Sequence, residues 1–308
     1  MTDKYKPELS KDILEDLLND YTTKQKLILA NKQYSRNGVS LDPKEFLTLD
    51  LLDLNLQFHD RAKKSKAIAV MRSRYHAEVF TPAWICNKQI NLIDNQYLGY
   101  KNAFNTEHDK KWKTSRKKIV FKKGSWSDYV ASTRLEITCG EAPYLASRYD
   151  AVSREPIALW DRIGIFDRKM RVIKENVTTK KDWLKWTQLA LQSVYGYDFQ
   201  GDNVFFARRN LLLSYQEYYF DYFSKMPDVK TLKEVVKIIC WNIWQMDGIK
   251  CVIPFSCESA KQPGLFGDLD KKCDACQSDK KLGHVGIHCL IMDWDIKEPV
   301  KFEQLFAK

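Results

Sequence analysis

Apolar residues recur along the chain at two periods. Near the N-terminus, Ile13, Leu14, Leu17 and Leu18 form one short helical face, and Leu51, Leu54 and Phe58 begin another behind Asp50 as a cap. Pro82 suits the first turn of a helix carrying Ile85, Gln89, Leu92 and Ile93. Farther on, Trp183, Trp186, Ala190 and Val194 share a face. So do Leu232, Val235, Ile239, Ile243 and Met246, behind a Thr231-x-x-Glu234 capping box. Short apolar runs of strand length lie between these patterns, at 134–138, 162–166, 193–197 and 251–255, with a last one at 289–295. Alternating strand and helix predicts an α/β fold with a mostly parallel sheet. Ligands of such sheets bind at the carboxyl ends of the strands, so the residues that follow each run are the candidates for chemistry.

Four regions follow: a helical N-terminal region at 1–75, a core at 76–255 with a basic insertion at 100–130, a Cys-rich insertion at 256–292, and a final strand with the C-terminus at 293–308. With 308 residues, 44% of them hydrophobic, the chain buries a sizeable core, which excludes disorder. No apolar run approaches the roughly 20 residues of a membrane span, so no membrane association is expected. The charged start MTDKYKPELSKD does not resemble a secretory signal. The eight cysteines are then expected to be reduced thiols of a cytoplasmic protein, some of them metal ligands. A net charge of +10 points toward a polyanionic partner.

Three acids stand where a parallel sheet would present them. The run RLEIT ends in a Cys139-Gly140 turn after Glu136, with the small Ala142 just beyond. Small residues there let a ligand approach the backbone, although an ordinary strand-to-helix turn has the same composition. Asp198 ends the run VYGYD, where it would accept hydrogen bonds from ribose hydroxyls or cap a helix starting near Asp202. Asp247 precedes Gly248, in position to accept a bond from an exocyclic amine or to close a simple turn.

FTP at 80–82, LEITCGEAPYL at 135–145, YGYDFQGDNVFFARRNLL at 195–212 and MDGI at 246–249 together resemble the cofactor-binding half of a DNA adenine-N6 methyltransferase. The resemblance is to the gamma-arranged modification enzymes of restriction–modification systems, restriction endonuclease subunit M, and covers residues 78–255. It implies a Rossmann-like class I S-adenosylmethionine-dependent methyltransferase sheet. By that resemblance Phe80, Thr81 and Pro82 lie over the methionine end of the cofactor. Glu136, Cys139 and Gly140 cradle its amino and carboxylate groups, Asp198 holds the ribose, and Asp247 meets the adenine amine. Ala142 replaces the family's usual third glycine, and 151–192 and 214–240 read as insertions.

The family's catalytic tetrapeptide, Asn/Asp-Pro-Pro-Tyr/Phe, does not occur, and Ile253-Pro254-Phe255-Ser256 is the nearest run. No catalytic residue is therefore assigned. The expectation is the N-terminal part of a split or truncated enzyme, inactive alone. A second polypeptide would supply catalysis and target recognition, double-stranded DNA would be the substrate, and a restriction endonuclease subunit would be a further partner. The alternatives are a non-catalytic DNA-binding or regulatory remnant, and a methyltransferase for RNA or a small molecule.

Two other features carry candidate chemistry. Cys257-x15-Cys273-x2-Cys276-x12-Cys289 offers four thiols for a zinc ion, with His284 and His288 nearby, or else unrelated thiols in a polar loop. Cys86, Cys139, Cys240 and Cys251 sit in apolar or turn contexts and read as core thiols. In the basic run at 110–123, Lys110, Lys111, Lys113, Arg116, Lys117 and Lys118 would follow a phosphate backbone while Trp112 stacks on a base. A solvated surface loop has the same composition.

Overall fold

The computed structural model of the chain describes residues 8–31, 35–36, 39–56, 81–122, 124–258, 273–278 and 283–306. Phe58, Phe80 and the basic residues between 61 and 74 lie outside these residues. Helices α1 (Lys11–Asp16) and α2 (Leu49–Leu56) flank two short antiparallel strand pairs, β1 (Asn19–Asp20) with β2 (Gln25–Lys26) and β3 (Ser35–Arg36) with β4 (Val39–Ser40). The N-terminal region is thus only partly helical, although Ile13, Leu17 and Leu18 are buried as their spacing predicts. Helix α3 (Ala83–Leu98) then leads into the antiparallel hairpin β5 (Asn105–His108) and β6 (Lys111–Thr114), and on to α4 (Trp126–Ala131).

The centre is a three-stranded parallel sheet: β7 (Arg134–Glu136), β8 (Val194–Asp198) and β9 (Ile243–Gln245), in that spatial order. Helices α5 (Ile165–Asn176) and α6 (Lys180–Gln192) connect the first two strands, and α7 (Gly201–Phe223) and α8 (Val229–Asn242) the last two. The segments expected as insertions are therefore mainly the crossover helices that cover the sheet. A one-turn helix α9 (Asp274–Gln277) and the antiparallel pair β10 (Leu290–Asp293) and β11 (Glu298–Lys301) complete the chain. The architecture is mixed α/β with several small sheets, one of them parallel. No helix among the described residues is long and apolar enough to cross a membrane.

The sheet separates two apolar layers because side chains alternate along a strand. Val194 and Ile243 face the large core shared with the crossover helices. Tyr197 and Trp244 face the other way, into a smaller cluster with Met246, Ile291 and Phe302. At the first turn of α7 the chain runs so close to the N-terminal segment that a Cβ on Gly201 would collide with the Ile28 carbonyl oxygen.

Three expected elements differ. The run 162–166 is no strand: Gly164 is the N-cap of α5, which starts at Ile165. The run 251–255 is a turn with isolated bridges from Val252 to Asp247 and His288. The third parallel strand comes instead from residues whose spacing continues that of α8. Asn242 marks the switch, because its side-chain amide donates to the carbonyls of Leu191, Gln192 and Val194 at 3.0–3.1 Å. Those bonds pin the chain beside β8, and Ile243 turns extended at φ −119°. At the other end of α8 the cap is Asp228, which accepts from the Thr231 N–H at 2.7 Å, so Thr231 lies inside the first turn.

Helix α3 inverts its expected orientation. Leu92 and Ile93 are 64% and 48% exposed, while Asn87, Asn91 and Asp94 are buried. Those three polar residues, one face of the helix at spacings of four and three, surround Arg168 of α5. The Arg168 guanidinium pairs with Asp94 at 2.5 Å and donates to the Asn87 and Asn91 side chains at 2.8 and 2.7 Å.

Candidate functional site

A crevice of about 490 Å³ opens at the carboxyl ends of β7 and β8, within the size range of small-molecule sites. The turn after β7 forms one wall. Thr138, Gly140 and Ala142 all have positive φ, at 47°, 53° and 62°. Only glycine adopts that conformation freely, and a β-branched threonine there is an outlier costing about 1–2 kcal/mol. Such strain concentrates at functional sites because the surroundings must hold it. Here the holding bonds are visible: Cys139 N–H donates to the Tyr197 carbonyl at 2.8 Å, and Gly140 N–H to the Asp198 carboxylate at 2.9 Å.

Asp198, at the end of β8, joins the walls. Besides Gly140 it accepts from the Gln200 N–H at 3.0 Å and the Asn203 side-chain amide at 3.2 Å. Burial raises its carboxyl above the ordinary value, against the pull of those three donors. Glu136 is also buried in the same wall and accepts from the Tyr144 and Leu145 N–H groups at 3.3 and 3.2 Å. Burial pushes its carboxyl well above the usual range and outweighs both bonds, while Asp198 adds a small like-charge repulsion. Glu141 is the third acid, bonded to the Tyr149 hydroxyl and 3.7 Å from Arg154. Three carboxylates line the crevice, and no lysine, arginine or histidine does among the described residues.

The structure brings together Thr81, Glu136, Cys139, Gly140 and Asp198, all expected from the sequence to form one site. Pro82 lies beside them as the N-cap residue of α3, but does not itself line the crevice. Asp150 fixes this segment by accepting from the Ala83 N–H at 2.6 Å. Asp247 is the expected member that falls elsewhere. Its carboxylate accepts from the Ile249 and Lys250 N–H groups at 3.1 and 3.2 Å and pairs with the Lys250 ammonium at 3.5 Å. It closes the turn after β9 and does not line the crevice. Tyr144, Asn203 and Asn210 line it instead. No spacing singled them out: Tyr144 lies in the turn after β7, and α7 carries several polar residues of which only packing selects Asn203 and Asn210 to face the opening.

The basic run forms the tip and second strand of the β5–β6 hairpin and the loop behind it. Lys110, Lys111, Lys113, Arg116, Lys117 and Lys118 are exposed, as a polyanion contact requires. Trp112 is not presented for stacking. It is half-buried, its indole N–H donates to the Asp161 carbonyl at 2.9 Å, and its ring packs near Cys86, Ile90 and Ile163.

The cysteine-rich region yields a different ligand set from the expected four thiols. Cys257, Cys273, Cys276 and His284 place one ligand atom each within 4.8 Å of one another, and this cluster could hold a metal ion. His284 Nδ1 lies 3.4 Å from the Cys276 sulfur and 3.7 Å from that of Cys273. Around a tetrahedral ion with thiolate and imidazole ligands these edges measure about 3.5–3.8 Å. Burial opposes ionisation of Cys273, but N–H groups of Val285 and Cys276 and the His284 ring bring it down to about 6. Cys289 lies outside the cluster. Its sulfur sits 3.4 Å from the Gln245 carbonyl, in the apolar layer beneath Tyr197 and Trp244, because it adjoins strand β10 and points toward the sheet. Cys86, Cys139, Cys240 and Cys251 are buried free thiols.

Comparison of the chain with protein-family models, with curated proteins and with solved structures finds no match.

Proposed function

We propose that the crevice binds S-adenosylmethionine and that the chain is the cofactor-binding part of a methyltransferase acting on DNA adenine. The observation that carries this reading is the charge of the crevice. A cleft at the ends of parallel strands suits a nucleoside, but Glu136 and Asp198, with no base among the described lining residues and only Glu141 paired to an arginine, disfavour the phosphates of a dinucleotide or nucleoside triphosphate. S-adenosylmethionine is a phosphate-free nucleoside with a sulfonium and an ammonium, so its cations meet those acids. When bound it supplies an electrophilic methyl group. The chain's own residues would hold and orient it: Glu136 and Asp198 by charge and hydrogen bonds, and the Gly140 turn by letting the ligand approach the backbone. The exposed lysines of the β5–β6 hairpin supply the phosphate contacts of a DNA substrate. Catalysis and target recognition on this reading come from a second polypeptide. Zinc is the occupant we assign to the separate Cys257–Cys273–Cys276–His284 cluster, whose soft thiolates and tetrahedral edges suit it.

Calorimetry with purified chain tests the cofactor reading. On this reading Asp198 accepts from the ribose hydroxyls, and a hydrogen bond to a charged group contributes about 1.5–3 kcal/mol, so Asp198→Ala lowers affinity roughly tenfold or more. Undiminished affinity in that variant would remove Asp198 from the site, and no binding by the native chain would end the proposal.

The direction of the carboxyl shifts gives a second expected result. Burial holds Glu136 and Asp198 partly protonated above their ordinary range. A bound cation favours their ionised forms, so binding releases protons and affinity rises with pH from about 4 through the raised values, then levels off. The thioether product, which lacks the sulfonium charge, binds more weakly with a shallower pH dependence. Titrations with both ligands between about pH 5 and 8 check this. Equal affinities at every pH would show that the acids do not face the ligand's charge.

A further inference from the structure

We infer that the metal centre is structural and sets one wall of the acidic crevice, through the turn that carries Cys257. The inference rests on zinc occupying the cluster, and not on the identity of the crevice's ligand. The four ligands come from three stretches of chain: the turn at 253–258, the single helical turn around Cys273 and Cys276, and the segment at 283–289. Among the described residues, hydrogen bonds tie the first stretch to the third, and apolar packing between the three is slight. Their private apolar cluster consists of Val252, Cys257, Cys273 and Ala275, with Cys276 against it. So small a core cannot order three segments without a cross-link, and a metal is the usual substitute.

The same turn reaches the crevice. Phe255 stands two residues before Cys257, and its ring meets that of Phe199 edge-on, with centroids 5.5 Å apart. Phe199 lines the crevice immediately after Asp198. Phe255 adopts φ 62°, which an aromatic residue holds only when its neighbours fix the backbone. Those neighbours belong to the metal-bearing segments. The Ile253 N–H donates to the Ile287 carbonyl at 2.8 Å, the Ile287 N–H to the Ser256 hydroxyl at 3.0 Å, and Val252 bridges to both Asp247 and His288. Ligation of Cys257 and His284 closes this loop on both sides. A metal-free chain loses the closure, lets Phe255 leave its left-handed conformation, and frees Phe199 from its packing partner.

Metal analysis and amide hydrogen exchange on the full chain, without cofactor, test this. Protein prepared without chelator should contain about one zinc per chain, and Cys276→Ser should lose it. Stripping zinc from the native protein with a strong chelator should accelerate exchange at residues 199–203 as well as at 251–258 and 283–289, roughly tenfold or more, with protection restored on adding zinc back. Phe255→Ala should keep its zinc and its protection at 283–289, yet show the same acceleration at 199–203. Zinc-free native protein would overturn the metal assignment and this inference with it. Unchanged protection at 199–203 after zinc removal, or in Phe255→Ala, would overturn the link to the crevice while leaving the zinc in place. Because no cofactor is present, failure of the chain to bind S-adenosylmethionine affects neither readout.

Discussion

Replacement of Arg168 by methionine lowers the stability of the folded chain by about 3–5 kcal/mol, the cost of leaving a buried charge without its partner. The Arg168 side chain is 1% exposed and that of Asp94 5%. Besides the ion pair, Arg168 donates to Asn87 and Asn91 and, through Nε, to the Ile163 carbonyl at 3.0 Å, and its plane lies 4.8 Å from the Phe104 ring centroid. Asp94 in turn accepts from the Tyr129 hydroxyl at 3.0 Å. Methionine fills much of the volume but satisfies none of these groups, so α3 loses its polar attachment to α5, while its bonds to Asn105, Glu107 and Tyr129 remain. Urea unfolding of Arg168→Met, Asp94→Asn and the double variant measures the effect. The double variant should be less destabilised than the sum of the singles, because removing both charges leaves no orphan. Additive losses would mean that the pair is not coupled. The consequence reaches the crevice as well, since the N-terminal end of α3 is where Thr81 and Pro82 stand.

The second large effect is expected at Arg208, which is fully buried with no carboxylate of the described residues bonded to it. Its guanidinium donates instead to four backbone carbonyls: Ile243 at 2.7 Å, Leu17 and Asn19 at 2.7 Å each, and Cys240 at 3.2 Å. Leu17 ends α1, Cys240 lies in the last turn of α8, and Ile243 opens β9. One side chain on α7 thus fastens the N-terminal segment, the end of a crossover helix and the third strand. Carbonyls at helix ends are unpaired within the helix and carry its negative pole, which is why a cation suits them. Arg208→Met leaves several of these acceptors buried and unsatisfied at about 1–3 kcal/mol each, so a loss of roughly 3 kcal/mol or more is expected. Arg208→Lys should recover only part of it, because an ammonium has three donors and lacks the planar fork. Denaturant midpoints for both variants check this. A loss below about 1 kcal/mol in Arg208→Met would show that water reaches the carbonyls in its place.

These two arginines also show how far a single sequence reaches. Apolar spacing suffices where a segment's environment is one-sided. Ile13, Leu17 and Leu18 are buried as their spacing requires, and the runs around 134–138 and 193–197 become β7 and β8 with their ends shifted by one or two residues. The residues after those two strands, Glu136, Cys139, Gly140 and Asp198, do meet in one crevice, because parallel strands bring their carboxyl ends together whatever lies between them.

What spacing alone could not supply was the partner. Nothing in their own spacing marks Asn87, Asn91 and Asp94 for burial; Arg168, more than seventy residues later, provides the charge and the donors that make it favourable. The apolar Leu92 and Ile93 are then turned outward. Asn242 ends α8 only because the carbonyls of Leu191, Gln192 and Val194 are in reach, and that contact converts a helical pattern into the strand β9. The positive φ at Thr138 and Ala142 has no glycine to announce it, and bonds from across β8 impose it. Asp247 and Cys289 carry the residue types expected of ligands, but chain direction sends one into a turn and the other under the sheet. His284 meets the cysteine pair instead. Local sequence thus determined the elements with one apolar face and the chemistry available at the strand ends. Tertiary structure decided which polar groups away from the strand ends are buried, because the free energy of such a group depends on a distant partner rather than on its neighbours along the chain.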